Sequence, residues 1–315
     1  MHAIFGSGTP MMWGGFLLFV LLMLALDLGV FHKKAHVVSI KEATIWSIVW
    51  VAMASIFGGV VWSQMGPTPG LEFFTGYLIE KALAVDNLFV FVAVFGYFAV
   101  PAIHQHRVLF WGVLGALVMR AVFIIGGAAL LEQFHWIIYI FGAFLLFTGL
   151  KMLKTDDAPA DPSQNVVLKI ARKVLPTTDQ MHGDKFFVKE AGKWVATPLF
   201  LVLILIEVTD LVFAVDSIPA IFAVTRDPFL VFTSNIFAIL GLRSMYFVLA
   251  DVVHRFATLK IGLAFVLIFV GIKMALIDVV KVPTLLSLGV IATLIGGSIA
   301  ISLWRTRNTS SNPAK

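Results

Sequence analysis

The chain has 315 residues, 60% of them hydrophobic and only 13% charged, with a formal net charge of +5 and a mean hydropathy of +0.97. This composition excludes an ordinary soluble domain, and the absence of cysteine from the chain excludes disulfides, thiolate metal sites and thiol redox chemistry of its own. The basic excess falls mainly in short loops between apolar runs, which is a membrane-orientation signal and not a nucleic-acid one.

Apolar runs of about 20 residues, enough to cross about 30 Å of hydrocarbon, recur along the chain. The opening "MHAIFGSGTP" lacks Lys, Arg and a cleavage pattern, so the first run is expected to stay in the mature protein as a helix. Nine spanning helices are predicted, over 11–31, 43–63, 71–98, 107–130, 134–153, 197–223, 229–250, 257–279 and 283–304. The one sizeable polar segment, 154–196, contains the Pro/Asp/Ser stretch "TDDAPADPSQ" and ends in "FFVKEAGKWVA", where Ala191 and Gly192 suit a hairpin turn. It is too short for a catalytic domain and is read as a linker between two membrane halves. Lys and Arg at 32–41, at Arg107, through 169–193, at Arg255 and Lys260 and in "WRTR" (304–307) all fall on one side if the N-terminus is outside. The positive-inside rule therefore predicts N-out, C-in, with 154–196 in the cytosol.

Two stretches inside these runs are alike. "AVDN" (84–87) lies over "AVDS" (214–217), 130 positions apart, and the same offset sets Glu80 over Asp210. Farther on, Arg120 in "LVMRAVF" matches Arg243 in "LGLRSMYF", and "FTGLKML" (147–153) matches "FVGIKMAL" (269–276). The expected units are 71–153 and 197–279, flanked by two helices in 1–63 and a last helix and tail in 283–315. Three crossings per unit is an odd number, so the second unit enters from the opposite side. An inverted repeat of this kind places a transport site near the midplane between the units.

Six carboxylates lie within predicted helices: Asp27, Glu80, Asp86, Glu207, Asp210 and Asp216. Each would cost roughly 2.5–3.5 kcal/mol at a helix centre, so pairing or hydration is required. Pairing with Arg120 and Arg243 accounts for two of them; Asp27 is near enough to a helix end to be hydrated. Lys151 and Lys273 are expected to snorkel to opposite faces. On a helix, Glu80 shares a stripe with Asn87, and Asp210 with Ser217, while Asp86 and Asp216 point about 120° away. Pro219 cannot bond the Val215 carbonyl, which predicts a helix break near Asp216 and Ser217 that frees oxygen ligands. Phe89 stands at the matching position of the first copy, so a break near Asp86 is left open. The donor set of Glu80, Asp86, Asn87, Glu207, Asp210, Asp216 and Ser217 is all oxygen and suits Mn²⁺, Mg²⁺ or Ca²⁺. His104 and His106, assigned to a cytosolic loop, are either solvated or an entry point for metal.

The stretches "GYLIEKALAVDN", "EVTDLVFAVDSIPAIFAVTRDP" and "SNIFAILGLRSMYF", with "LALDLGVF" and "YIFGAFLLFTGLKM", resemble the TerC family of integral membrane proteins, in particular its Alx-type bacterial branch. The resemblance runs from about residue 12 to 304. It implies an association with tellurite resistance, movement of manganese or a related divalent ion, and the inverted repeat of the transporters related to the LysE group. The expectation is an all-α polytopic protein of the bacterial cytoplasmic (inner) membrane that exports Mn²⁺, with protons as a counter-substrate, no prosthetic group and no enzymatic activity. The competing expectations are a redox modulator and a scaffold in tellurite stress that meets soluble partners through the linker. Oligomeric state is not legible in the sequence.

Overall fold

The computed structural model describes residues 6–26, 38–154, 165–190, 192–249 and 257–310. Its apolar runs are helices: α1 Pro10–Leu26, α2 Ile40–Met65, α3 Pro67–Tyr97, α4 Ala102–Gln133, α5 Ile137–Lys154, α7 Pro198–Phe222, α8 Pro228–Leu240, α9 Leu242–Leu249, α10 Ala257–Ala275 and α11 Thr284–Ser310. Between α5 and α7 lie a short helix, α6 Val166–Val174, and an antiparallel hairpin of β1 Phe187–Glu190 and β2 Lys193–Ala196. Among the described residues, α2, α4, α5, α7, the α8–α9 pair and Thr284–Ser302 of α11 are long and apolar enough to cross a membrane, and α1 is apolar but shorter. Along α3, by contrast, run Glu72, Glu80, Lys81 and Asp86. The protein is thus a largely helical, polytopic membrane protein.

Local chemistry sets the helix ends. The Ser39 side chain accepts from the Glu42 amide at the start of α2, and Asn165 does the same for Val167 at the start of α6. Asp227 accepts from the amides of Phe229 and Leu230 at 2.9 and 3.3 Å and opens α8, with Pro228 in the first turn. Helices α2 and α3 are joined by Gly66 alone, whose φ of 100° is open to glycine and strained for other residues.

Every residue of α8 is buried, which fits a helix apolar on all sides at the centre of the bundle. Around it, α3 packs on α8 and α7 packs on α4, while α3 and α7 also touch. Gly76 on α3 meets Ile221 on α7, whereas Phe91 and Ile206 line one small void farther along, so the two helices run antiparallel. The outward faces stay apolar, with Ile56 68% and Val122 66% exposed, as contact with lipid requires.

Helices α5 and α10 approach most closely through glycine. A Cβ on Gly271 would stand 2.8 Å from the Gly142 carbonyl oxygen, and one on Gly149 would stand 2.8 Å from that of Ala264. These contacts also fix the two helices as antiparallel. We expect Gly271→Ala to cost about 1–3 kcal/mol by forcing the backbones apart; denaturation of the purified variant would measure it, and wild-type stability would contradict the seam.

Loops gather at two ends. At one, Ser7 donates its amide to Asp227 (2.8 Å), and His135, Tyr139 and Asp278 hydrogen-bond together beside Arg226. The Tyr139 hydroxyl, and then the His135 ring, hold the Asp278 carboxyl below its ordinary value. At the other end Arg107 pairs with Asp184, and α6 and the hairpin rest on the first turns of α7.

Several expectations need correction. The run 229–250 divides at Gly241 into α8 and α9. Lys81 Nζ reaches the Ala238 carbonyl (3.4 Å), and a Cβ on Gly241 would lie 2.4 Å from that nitrogen; an ammonium at a helix C-terminus stabilises the end it meets. No break occurs at Asp216 and Ser217, because α7 continues through Pro219 to Phe222. Pro219 withdraws the donor for the Val215 carbonyl, one bond of the ladder, and the helix carries on past it. Helix α3 is likewise continuous past Asp86. Helix α6 was not foreseen in the linker, and Asp27 lies outside the described residues.

Candidate functional site

Arg120, from the middle of α4, is the centre of the buried polar chemistry. It is 1% exposed, as is Glu80, and Asp210 is 3% exposed. Its Nε and Nη2 meet the two Asp210 oxygens at 3.2 and 3.0 Å, a bidentate pair. Nη1 pairs with Glu80 Oε1 and lies 3.1 Å from Asn235 Oδ1 and 3.3 Å from Ser217 Oγ. One guanidinium thereby joins α3, α7 and α8. Arg120 and Arg243 together were expected to account for two carboxylates; Arg120 alone takes both Glu80 and Asp210. Arg243 Nη1 meets His106 Nε2 at 2.9 Å, and Arg243 and Asp210 line one small void of about 10 Å³. Bidentate geometry on one side of the guanidinium leaves Nη1 free to reach across, which explains how a single arginine serves two acids.

Beside this network lies a cavity of about 240 Å³. Glu80, Asn87, Asp216 and Ser217 line it, together with Arg120, Thr148, Lys151 and Lys260. Helical spacing explains the distribution on α7: Ser217 shares the Arg120 face with Asp210, while Asp216 turns toward α5 and accepts from Thr148 Oγ1 at 3.1 Å. Lys151, exposed in the last turn of α5, borders the cavity, whereas Lys273 at the last turn of antiparallel α10 donates to Ser287 (3.0 Å) at the other end.

The seven expected ligands do not converge. Glu80, Asn87, Asp216 and Ser217 share the cavity; Asp210 sits behind it on Arg120; Glu207 lies against Gly115 of α4. Asp86 is on α3, but its side chain lies outside the described residues. Among the described residues no three His, Asp or Glu side chains could hold one metal ion. His104 and His106 belong to the first turns of α4 and not to a loop, and His106 is engaged by Arg243. Sequence reasoning missed Asn235, Thr148, Lys81 and Lys260. The signal for Asn235 was a polar triplet, Thr233, Ser234 and Asn235, inside an apolar run.

Two acceptors in the cavity wall are unanswered. Glu80 Oε2 and Asn87 Oδ1 are buried and have no hydrogen-bond partner among the described residues. Buried acceptors of this kind are satisfied by water or by a cation. The donor chemistry is carboxylate, amide and hydroxyl oxygen, which fits a hard divalent ion.

Residues 65–310 match the family model described as the integral membrane protein TerC family. The chain belongs to the TerC family. Among similar proteins, membrane protein STKORF319 of Myxococcus xanthus is 55% identical over 307 residues, covering 98% of this chain and 96% of the relative. Relatives in Escherichia coli strain K12 and Shigella flexneri are each 50% identical over 306 residues, 94% of this chain. They cover 95% and 96% of those relatives, and both carry the provisional name of membrane-bound redox modulator Alx. No solved structure matches this TerC-family chain.

Proposed function

We propose that the chain carries divalent cations, with Mn²⁺ the expected cargo, outward across the bacterial cytoplasmic membrane. The observation that carries this reading is the pair of unanswered acceptors, Glu80 Oε2 and Asn87 Oδ1, on residues that line one cavity with Asp216 and Ser217. Arg120 neutralises only one of the two carboxylates it holds, so a proton or a further cation has to balance the other. Asp86, one residue before Asn87 on α3, completes the proposed set. Glu207 and Asp210 are second-line acids in this scheme, and Arg120 is an internal counter-charge.

An inverted repeat supports alternating access to this cavity. The packing of α3 on α8 is mirrored by that of α7 on α4. Aligning "FTGLKM" with "FVGIKM" equates Gly149 with Gly271 and Gly142 with Ala264. The contacts of Gly149 with Ala264 and of Gly271 with Gly142 exchange under that equivalence. Antiparallel counterparts are what an axis in the membrane plane produces; an axis along the normal would make them parallel. The cavity reaches Lys151 at the end that holds α6 and the hairpin, the cytosolic end by charge bias, as loading of an exporter requires.

Orientation is testable with single cysteines, since the chain has none of its own. A membrane-impermeant thiol reagent applied to whole cells should label exposed Thr68→Cys and spare exposed Lys193→Cys; the reverse would turn the protein over. Transport is tested in proteoliposomes by Mn²⁺ flux with and without a pH gradient. Folded protein that moves no more Mn²⁺ than empty vesicles would end the carrier reading, and dependence on the gradient would identify protons as the counter-substrate.

The name of the Alx relatives favours a second reading, a redox modulator. Without cysteine in the chain, such a role needs a bound redox group, and visible absorbance of the purified protein would reveal a chromophore.

A further inference from the structure

Helix α6 divides its surface three ways. Leu168 and Ala171 are buried in a cluster with Leu199 and Val202 of α7. Val166, Ile170 and Val174, spaced four apart along one stripe, are 66%, 57% and 72% exposed. Lys169, Arg172 and Lys173 occupy the remaining arc. An apolar stripe bordered by cations is the pattern of a helix lying in the plane of a membrane surface.

Position points the same way. Helix α6 packs on α7, and Leu199 and Val202 of the shared cluster belong to its first turns, where a membrane-crossing helix emerges. The hairpin docks on the same turns through Phe187 and Phe200, whose ring centroids are 4.4 Å apart. It carries Trp194, 63% exposed, with Lys189 Nζ 5.5 Å from the ring centre. Tryptophan and lysine gather where hydrocarbon gives way to headgroups. Arg107 and Arg172 pair with Asp184 and Asp179, and lysines at this level stand where anionic phospholipids of the same leaflet can reach them.

We infer that α6 is a lipid-reading element: its stripe of Val166, Ile170 and Val174 enters the acyl boundary, and its Lys169 and Lys173 engage anionic headgroups. This surface depends on the chain being embedded in a membrane and not on which ion, if any, the cavity carries. Negative lipid holds the helix down and so fixes the base of α7, the helix that bears Asp210, Asp216 and Ser217.

The test uses the full-length protein with Ile170→Cys as its sole thiol, labelled with an environment-sensitive fluorophore, in nanodiscs. Ile170 is exposed, so the label displaces no core contact. In discs containing phosphatidylglycerol, brominated lipid should quench the probe and aqueous iodide should not. Replacing phosphatidylglycerol by phosphatidylcholine, or introducing Lys169→Gln with Lys173→Gln, should weaken the docked state roughly fivefold per lost charge. Lipid quenching indifferent to headgroup charge would overturn the proposal, as would dominant iodide quenching. Protection from both quenchers would mean that protein, a second copy or another partner, covers the stripe, and would overturn it equally.

Discussion

Arg120→Leu should leave almost no folded protein in the membrane. The substitution removes the one cation that joins Glu80, Asp210, Asn235 and Ser217 and strands two buried carboxylates. Removing one partner from a buried ion network costs about 3–5 kcal/mol, a large share of the total stability of a domain. The network can, however, be removed whole. Adding Glu80→Gln and Asp210→Asn to Arg120→Leu takes away the stranded charges, and the triple variant should regain much of the lost protein. Protein level and thermal stability in detergent measure both effects. If Arg120→Leu alone accumulated with unchanged stability, the network would have no structural weight.

Asp216→Asn should have the opposite profile: normal protein and failed transport. Asparagine can still accept from Thr148, so the bond that Asp216 takes from that hydroxyl survives. Neutralising an intramembrane carboxylate also makes its helix easier to bury. What disappears is the negative charge on the cavity wall, and Mn²⁺ flux should fall by at least about tenfold, the lower range for damage to metal-site architecture. Asp86→Asn should behave alike if its side chain belongs to the same set. Flux and protein level measured together in cells distinguish these variants from Arg120→Leu, and unimpaired flux in both would remove the proposed site.

Much of the fold was legible because hydrocarbon is a demanding solvent. Long apolar runs become helices, and carboxylates inside them need partners, so α2, α4, α5 and α7 could be read to within a few residues. The division between α8 and α9 could not, since nothing in the run 229–250 itself signals that Lys81 meets Ala238 from another helix there. Nor could α6, whose nine residues are too few for a sustained period to stand out. At the site, spacing identified which acids share a stripe but not which helix faces that stripe. Counting charges set Arg120 and Arg243 together against at most two acids, whereas Arg120 by itself holds both Glu80 and Asp210. Pro219 misled for a different reason: a proline withdraws one bond and crowds one carbonyl without having to end a helix, and α7 runs on to Phe222, one residue short of the predicted end. The shared stripes of Glu80 with Asn87 and of Asp210 with Ser217 were within reach of helix geometry, whereas the place of Asp216 in the cavity and the answering hydroxyl of Thr148 on α5 required knowing how the units pack.

The single-residue turn at Gly66 bears on how this chain enters a bilayer during synthesis. Helix α3 cannot partition on its own merits. Its inner charges Glu80, Lys81 and Asp86 together oppose insertion by about 8–10 kcal/mol before any partner is present. Helix α2 has Lys41 and Glu42 in its first turn and no charge after them. With Gly66 as the only link, its amide bonded back to the Trp62 carbonyl at 3.0 Å, the two arms leave the ribosome as one helical hairpin. The greasy arm then carries the polar one across, and α3 waits in the membrane for Arg120, which is translated later and neutralises Glu80 only when α4 arrives.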